Sequence, residues 1–364
     1  MKLCYLANAR SVHTQKWVRY FAEKGHDTHL ISVERYDIPN VTLHQLRPLN
    51  HVPRAVVFAG LMMQIRKFLK RIEPDLLHAH YASSYGFWGA LTRVHPFVFT
   101  AWGTDVLIDP TRSKFKKWKV RYVLKRADLV TSDARHVIDR LVQLGCDEQK
   151  IRLVCFGVDT ERFRPDARDE NLKSELGLPS ESSLIISTRN LDPGYDVESL
   201  IRAVPLVLEN VPQTRFLVFG DGEQRSYLVE LARSLGVENA VRFLGFIPNL
   251  EIPRYFASVD AYVSTALSDA GIAGSTAEAM ASGLPVVITD VADNRNWIKD
   301  GEGGFLVPPS DPPLLAERIT YLLQDQTVRR SFGAVNRKVI QERNEYRTQM
   351  ELMERLYEEL LDVH

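Results

Sequence analysis

Short runs of apolar residues alternate with amphipathic stretches along nearly the whole chain. Each run is bounded by glycine, proline or charged residues, which is typical of a buried strand. The stretches between them place apolar side chains every three or four residues, as in a helix that covers a sheet. In residues 54–72, for example, Val57, Leu61, Ile65 and Ile72 fall on one helical face. Repeated strand–helix alternation predicts parallel sheets with right-handed crossovers.

The predicted strands fall into two sets. The first set contains KLCYLAN, THLISV, PDLLHAH, PFVFTAW and ADLVTSD. The second contains SLIISTR, RFLVFGDG, AVRFLGF, DAYVST, LPVVITD and GFLVPP. The polar segment GVDTERFRPDARDEN between the two sets is typical of a linker. We therefore predict an α/β protein with two doubly wound, parallel-sheet, Rossmann-like domains facing a cleft, at residues 1–165 and 166–345, and a C-terminal helix, 346–364, that packs back toward the first domain.

Length and composition agree with two ordinary globular domains. The chain has 364 residues, too many for one common hydrophobic core, and its hydrophobic fraction is 45%. Lysine plus arginine and aspartate plus glutamate number 46 each. Because no net charge attracts the chain to a polyanion, we expect no nucleic-acid partner.

The cysteines and apolar segments predict a cytoplasmic protein. Cys4, Cys146 and Cys155 are scattered and lack metal-ligand spacing, which favours structural thiols in a reducing compartment. The N-terminal apolar stretch is too short for a signal peptide. The most apolar later segment, residues 55–65, is too short to cross a membrane and is interpreted as a buried amphipathic helix.

The usual cofactor and metal fingerprints are missing. Gly220 and Gly222 form a G-x-G, but Arg225 stands where a dinucleotide-binding motif has its third glycine. No P-loop, HExxH, G-x-S-x-G or Asp-x-Asp motif occurs. We therefore predict neither a metal nor a cofactor.

Candidate chemistry lies at the ends of the predicted strands, where ligands bind in doubly wound sheets. His78 and His80 share one strand face, and His80 at the strand end is the better placed to face a cleft. Trp102 and Asp105 follow the next strand, and Asp105 beside a glycine would suit sugar hydroxyls. Arg189 ends the first strand of the second domain and would suit a diphosphate. Core packing or surface salt bridges remain the alternatives for these residues.

The segment SDAGIAGSTAEAMASGLPVVITD, residues 268–290, has two interpretations. Ser275 and Glu278 fit a capping box at a helix start. Alternatively, Gly271 and Gly274 allow close backbone approach to a ligand, the helix start favours an anion, and Glu278 accepts hydrogen bonds from ribose hydroxyls. The residues alone do not decide between the two.

With these residues in place, the chain resembles the family 4 glycosyltransferases of GT-B architecture over roughly residues 1–345. The resemblance is strongest in VFGDGEQRSYLVELARSLGVENAVRFLGFIP and STAEAMASGLPVVITDVADNRNWIKDGEGGFLVPPSD, together with PDLLHAHYASSYG. It implies transfer of a sugar from a nucleotide-sugar co-substrate to a hydroxyl acceptor, with retention of configuration and without a metal. Polysaccharide, lipopolysaccharide or glycolipid synthesis would be the setting. UDP is the expected nucleotide because it is the commonest in the family.

The resemblance also implies roles for individual residues. Glu278 matches the second acid of the Glu-x7-Glu motif, Arg189 the arginine that neutralises the diphosphate, and His80 the histidine beside the donor sugar, and these three are the predicted catalytic residues. The predicted donor-binding residues are Arg10, Ser11, Gly220, Phe246, Ile247, Asp269, Gly271, Ile272, Ala273 and Gly274. The predicted acceptor-binding residues are His13, Trp102, Thr104 and Asp105.

Three positions depart from the family pattern. The first acid of Glu-x7-Glu is replaced by Ala270, with Asp269 the nearest substitute. Gly194 stands where the family has a lysine, and Ala9-Arg10-Ser11 replaces the usual Gly-Gly after the first strand. Arg10 could supply part of the missing charge. These changes keep two alternatives open: a non-catalytic nucleotide-sugar-binding protein, and a GT-B epimerase or hydrolase.

The stretch TRSKFKKWKVRYVLKR, residues 111–126, concentrates basic residues in an otherwise neutral chain. Phe115, Trp118 and Val123 lie among them. A solvated helix face is one interpretation, and peripheral contact with anionic lipid at the inner face of the membrane is the other.

Overall fold

A computed structural model describes residues 1–363 and divides the chain into two compact units. The N-terminal unit contains Met1–Phe156 together with the stretch from Arg347 onward, and the C-terminal unit is Gly157–Tyr346. Each unit is a parallel sheet covered by helices, so the predicted α/β class with two doubly wound domains is confirmed.

The N-terminal unit contains a seven-stranded parallel sheet in the order β3-β2-β1-β4-β5-β6-β7. Its strands are β1 (Lys2–Leu6), β2 (Asp27–Ser32), β3 (Thr42–Gln45), β4 (Leu76–His80), β5 (Phe97–Ala101), β6 (Leu129–Ser132) and β7 (Ile151–Leu153). Its helices are α1 (Val12–Glu23), α2 (Arg54–Ile72), α3 (Phe87–Thr92), α4 (Thr104–Leu107), α5 (Asp109–Arg112), α6 (Lys114–Arg126) and α7 (Arg135–Gln143).

The C-terminal unit contains a six-stranded parallel sheet in the order β10-β9-β8-β11-β12-β13. Its strands are β8 (Ser183–Ser187), β9 (Thr214–Phe219), β10 (Val241–Gly245), β11 (Ala261–Ser264), β12 (Val286–Thr289) and β13 (Gly304–Val307). The helices that follow α7 are α8 (Leu172–Glu175), α9 (Val197–Asn210), α10 (Arg225–Ser234), α11 (Ile252–Ser258), α12 (Gly274–Ala281), α13 (Pro312–Gln324), α14 (Gln326–Arg343) and α15 (Tyr346–Val363).

Burial explains which elements the sequence pattern revealed. Every residue of β4 and β5 is buried, and α2 buries Leu61, Ile65, Leu69 and Ile72 on the face turned to the sheet. The strands that the pattern missed, β3 and β7, are short and form the two edges of their sheet. An edge strand covered on fewer sides needs no continuous apolar run.

Among the helices in residues 1–363, none combines the length and apolarity that a bilayer crossing requires.

The segment interpreted as a linker packs on the C-terminal unit. The chain passes between units at Phe156–Gly157, before the predicted boundary at residue 165. Phe163 is buried against Phe256, and Arg337 donates to the carbonyl of Phe163 across 3.0 Å. Because these partners lie far away in sequence, the local polar composition did not reveal them.

The C-terminal helix α15 completes the N-terminal unit. The hydroxyl of Tyr357 lies 3.0 Å from that of Tyr5 on β1 and also hydrogen-bonds His78 on β4. Glu354 contacts His26, with 2.7 Å between Oε1 and Nε2. Sheet and helix are therefore joined by buried polar contacts as well as by apolar packing.

Both sheets have a topological switch point, where the strand order reverses. It lies between β1 and β4 in the N-terminal sheet and between β8 and β11 in the C-terminal sheet. Loops leave these paired strands in opposite directions, so a crevice forms beyond their carboxyl ends. The candidate residues follow these strands.

Candidate active site

An ion pair between a buried arginine and a partly buried aspartate marks the switch point of the C-terminal sheet. Arg189 follows β8, Asp269 lies in the loop after β11, and Nη2 of Arg189 donates to Oδ1 of Asp269 across 2.7 Å. The Arg189 side chain is 8% exposed, and the ring of Tyr195 lies 4.6 Å from its Cζ. Burial raises the pKa of Asp269, and the charge of Arg189 limits that rise. The sheet thus brings together two residues that the sequence separates by a long distance.

The loop after β11 leads into the N-terminus of α12 without a side-chain cap. The residue before the helix is Ala273, which has no side-chain acceptor, and a Cβ on Gly274 would meet no atom of another segment within 4 Å. Ile272 and Ala273 turn inward and are buried, and the backbone at Gly271 is buried beside them. The first N–H groups of a helix have no partners within it. Uncapped, they favour an anionic ligand.

The capping-box interpretation of this segment is wrong. Ser275 is the second residue of α12, whereas a cap residue must precede the helix. The Ser275 hydroxyl instead lies 2.8 Å from the hydroxyl of Tyr262 on β11. Glu278 lies one turn further along α12 and is half-buried.

Gly220 supports the loop that carries Arg189. Its φ is +98°, and a Cβ there would lie 2.4 Å from the carbonyl oxygen of Arg189. A Cβ on Gly222 would lie 2.5 Å from the backbone of Leu191. Hence both glycines of the G-x-G allow the loop after β9 to pack against the loop after β8.

Phe246 and Ile247 lie directly after β10, at the edge of the C-terminal sheet. Phe246 is 83% exposed and Ile247 is half-buried. β9 separates β10 from β8, so at a strand spacing of roughly 5 Å this edge stands about 10 Å from β8.

His80 occupies the switch point of the N-terminal sheet. It ends β4 and is 3% exposed, and its Nδ1 lies 3.4 Å from the hydroxyl of Thr14 on α1. Its Nε2 is buried without a hydrogen-bond partner. Burial, followed by the charge of His13, lowers the pKa of His80 to about 3. The imidazole is therefore neutral at physiological pH.

Aromatic rings surround His80. His13 stacks on Trp102 with 4.7 Å between ring centroids, and the edges of Trp17 and Trp102 meet His80 at 5.4 and 5.5 Å. Burial, then the charge of Lys16, lowers the pKa of His13 to about 4. Nδ1 of His13 and Nε1 of Trp17 are buried without partners. Of these rings, His13 and Trp102 are the partly exposed ones.

Asp105 joins two loops of the N-terminal unit. It is fully buried, and its carboxylate accepts from the backbone N–H of Ala82 at 2.8 Å and of Trp102 at 3.1 Å. Burial raises its pKa to about 6. In this position Asp105 holds the loop bearing Trp102, and the exposed neighbour Thr104 hydrogen-bonds Tyr81.

The turn before α1 carries the last two candidates. Arg10 is exposed and Ser11 is half-buried directly before the helix, where its hydroxyl makes no cap bond. Within residues 1–363, no group of three His, Cys, Asp or Glu side chains has the arrangement of a metal site.

Comparison with known proteins places the chain in a family. Residues 168–339 match the family model described as glycosyl transferases group 1, and residues 2–134 match that described as glycosyl transferase 4-like. D-inositol 3-phosphate glycosyltransferase of Corynebacterium efficiens is 30% identical over 298 residues, which cover 76% of this chain and 69% of that protein. The chain belongs to the family 4 glycosyltransferases. It is accordingly an enzyme of the glycosyltransferase class.

Two further relatives extend the comparison. N-acetyl-alpha-D-glucosaminyl L-malate synthase of Bacillus anthracis is 25% identical over 343 residues, 89% of this glycosyltransferase and 87% of that protein. The structure of HepE from Anabaena in complex with UDP superimposes with a TM-score of 0.83 and 19% identity, covering 99% of this chain and 100% of that one. The latter likeness establishes the GT-B fold.

Sequence reasoning overlooked three neighbours of the candidate residues in this glycosyltransferase. Tyr195 lies against Arg189, and Thr14 and Trp17 contact His80. Trp17 follows His13 by one helical turn, a spacing that predicts a shared face. No local signal connects Thr14 with His80, because the two meet only through the packing of α1 on the sheet.

Proposed function

We propose that this glycosyltransferase moves a sugar from a UDP-sugar to a hydroxyl acceptor, with retention of configuration and without a metal. The observation that carries the proposal is the switch point of the C-terminal sheet. There the cation of Arg189 and the uncapped N-terminus of α12 follow two neighbouring strands, where a doubly wound sheet binds its ligand.

The donor would extend across the carboxyl edge of this sheet. Arg189 and the N–H groups that begin α12 would bind the diphosphate, and Glu278 would accept from the ribose hydroxyls. The exposed ring of Phe246, two strands from β8, would stack on the nucleobase. HepE of Anabaena, which shares the fold, was solved with UDP bound, and this supports UDP as the first nucleotide to test.

The reaction would exchange one bond at the anomeric carbon. The C–O bond to the diphosphate breaks, a C–O bond to the acceptor oxygen forms on the same face, and the leaving diphosphate takes the acceptor proton. Negative charge grows on the diphosphate, where Arg189 and backbone donors would stabilise it. No strong protein base is needed. The neutral His80 would use the proton-bearing nitrogen of its ring to orient and polarise the donor sugar.

The acceptor would use the partly exposed rings of the N-terminal unit. Trp102 and His13 form a stacked pair, and the apolar face of a sugar ring packs well on such a surface. Thr104, which is exposed two residues after Trp102, would donate to or accept from a hydroxyl of the acceptor.

A thermal-shift screen with UDP-, GDP-, ADP- and dTDP-sugars tests the donor site. A ligand that binds the folded protein raises its melting temperature. We expect one nucleotide class to stabilise the wild type and to lose this effect in Glu278→Ala. Glu230→Ala, at an exposed acid on α10 of the same unit, is the matched control and should respond like the wild type. If the nucleotide stabilised Glu278→Ala as much as Glu230→Ala, Glu278 would not be part of the donor site.

Turnover assays test the chemistry. With a competent acceptor, nucleotide release should depend on that acceptor, survive EDTA, and yield a product whose anomeric configuration by NMR matches the donor. Nucleotide release without acceptor would instead indicate the hydrolase or epimerase, and binding without release would indicate a non-catalytic protein.

We also propose that α6 brings the enzyme to anionic lipid. A cavity of about 1040 Å³ beside α6 is lined by cationic side chains from two segments of the N-terminal unit: Lys114, Lys117, Arg121, Lys125, Arg126 and Lys150. Phe115 and Trp118 stack on each other with 5.8 Å between centroids and are more than half exposed. Clustered cations beside exposed aromatic rings suit a headgroup layer.

Vesicle sedimentation tests this contact. Vesicles of phosphatidylcholine with phosphatidylglycerol should bind the wild type, whereas pure phosphatidylcholine should not. The triple variant Lys117→Gln, Arg121→Gln, Lys125→Gln should lose most of the binding, since each cation near such a surface contributes about 1 kcal/mol. The control replaces Lys67, Lys70 and Arg71, exposed on α2 of the same unit, and should bind normally. Equal binding by both triple variants would refute the contact.

A further inference from the structure

The charge at the C-terminal switch point is balanced before any ligand arrives. Arg189 carries one positive charge and Asp269, 2.7 Å away, can carry one negative charge. A nucleoside diphosphate brings at least two negative charges. Asp269 therefore opposes the ligand that Arg189 is proposed to bind.

The geometry also shows that Arg189 is held from more than one side. Tyr195 covers a face of the guanidinium at 4.6 Å, and the Arg189 carbonyl packs against Gly220. Nε of Arg189 is buried without a hydrogen-bond partner. The guanidinium is thus fixed in place with a donor left over, whereas Asp269 is only partly buried in a loop.

We infer that Asp269 is an exchangeable counter-ion and not a ligand of the donor. Without donor, Asp269 neutralises the buried Arg189; when donor binds, the diphosphate replaces the carboxylate on the guanidinium and Asp269 turns to solvent. This inference rests on the proposed donor site. As a counter-ion, Asp269 weakens donor binding, whereas a substitute for the acid missing at Ala270 would strengthen it.

The two roles predict affinity changes of opposite sign. A carboxylate that competes with the diphosphate weakens binding, so Asp269→Asn should bind a diphosphate more tightly. We expect the dissociation constant to fall about five- to tenfold, which is the lower end of the usual coupling between two binding events. A carboxylate that accepts hydrogen bonds from the donor sugar would leave UDP affinity unchanged and weaken UDP-sugar affinity when it is removed.

Calorimetric titration with inorganic pyrophosphate and with UDP tests the inference. Asp269→Asn should tighten both dissociation constants about five- to tenfold. Glu230→Gln removes one negative charge from a distant helix of the same unit and should change neither. Asp269→Ser, a smaller side chain, is the second variant to use if Asp269→Asn folds poorly. It should tighten binding in the same way.

The outcomes separate this inference from the proposed function. Weaker or unchanged binding of both probes by the Asp269 variants, with normal binding by the wild type, overturns the counter-ion role alone. Glu278→Ala should lose UDP affinity and keep pyrophosphate affinity, because only the nucleotide has a ribose. If neither probe binds the wild type or the Asp269 variants, the diphosphate site and the counter-ion role both fail.

Discussion

The two switch points have the same strand order but differ in electrostatics, because one is uncharged and the other contains an ion pair. In the N-terminal sheet, His80 is neutral and enclosed by Trp17 and Trp102. In the C-terminal sheet, Arg189 is buried to a similar degree and stays charged beside Asp269. The same backbone arrangement thus provides an uncharged aromatic site in one unit and a balanced ionic site in the other.

The difference follows from the intrinsic pKa of each side chain. A histidine titrates near pH 6.5, so burial removes its charge at modest cost. An arginine remains protonated in proteins, so a buried guanidinium requires a counter-ion. Burial therefore leaves the histidine site uncharged and makes the arginine site dependent on a counter-ion. Substitutions should affect the two sites differently.

The largest effect is expected from Arg189→Ala. Removing the buried cation proposed for the leaving diphosphate should lower kcat/KM about a thousandfold. It should also lower the free energy of unfolding by about 1 kcal/mol, because the ion pair is lost while the partly buried Asp269 can turn to solvent. Steady-state kinetics and urea denaturation measure the two effects. Adding Asp269→Asn should recover most of the stability and none of the transfer; recovery of transfer would contradict the role given to Arg189.

Gly220→Ala should be the next most damaging. A methyl group there meets the Arg189 carbonyl at 2.4 Å while φ is +98°, so we expect a loss of about 3 kcal/mol in the free energy of unfolding. Gly236→Ala is the matched control, since its φ is +70° and its Cβ would have open space. It should cost only about 1 kcal/mol. Equal losses would show that backbone strain, and not contact with the Arg189 loop, makes Gly220 necessary.

The neutral site should be sensitive to pH in its stability. The pKa of His80 is about 3 in the folded protein and near 6.5 when unfolded, so the unfolded chain binds protons first as pH falls below about 6.5. Stability is therefore complete above that pH and declines below it. Between pH 6.5 and 4.5 the wild type should lose about 2 kcal/mol more than His80→Phe. Urea denaturation across this range measures the loss of stability. The control variant His51→Phe, at an exposed histidine, should show the same dependence of stability on pH as the wild type. If His80→Phe also showed the wild-type dependence, His80 would not contribute to it.

The smallest effect concerns the partly exposed ring of the N-terminal site. Trp102→Leu should raise the acceptor KM about tenfold with little change in kcat, because stacking area is lost while the charges are untouched. Trp118→Leu, at an exposed tryptophan on α6, should leave the KM of a water-soluble acceptor unchanged. A change in kcat with an unaltered KM would place Trp102 at the reacting atoms.

The sequence by itself determined the α/β class, nearly all the strands, and the residues that end them. Helix α2 follows the predicted 54–72 to the residue, because apolar periodicity is a local property that reports which face is buried. The position of Arg189 after β8 and of His80 at the end of β4 also follows from local pattern.

Only the tertiary structure decided how these residues are used. Arg189 meets Asp269 because β8 and β11 are neighbours in the sheet, a pairing that no local spacing records. Asp105, expected to be available to sugar hydroxyls, is buried and bound to backbone N–H groups. Periodicity specifies faces and ends of elements, whereas charge state and hydrogen-bond partners depend on which distant elements pack together.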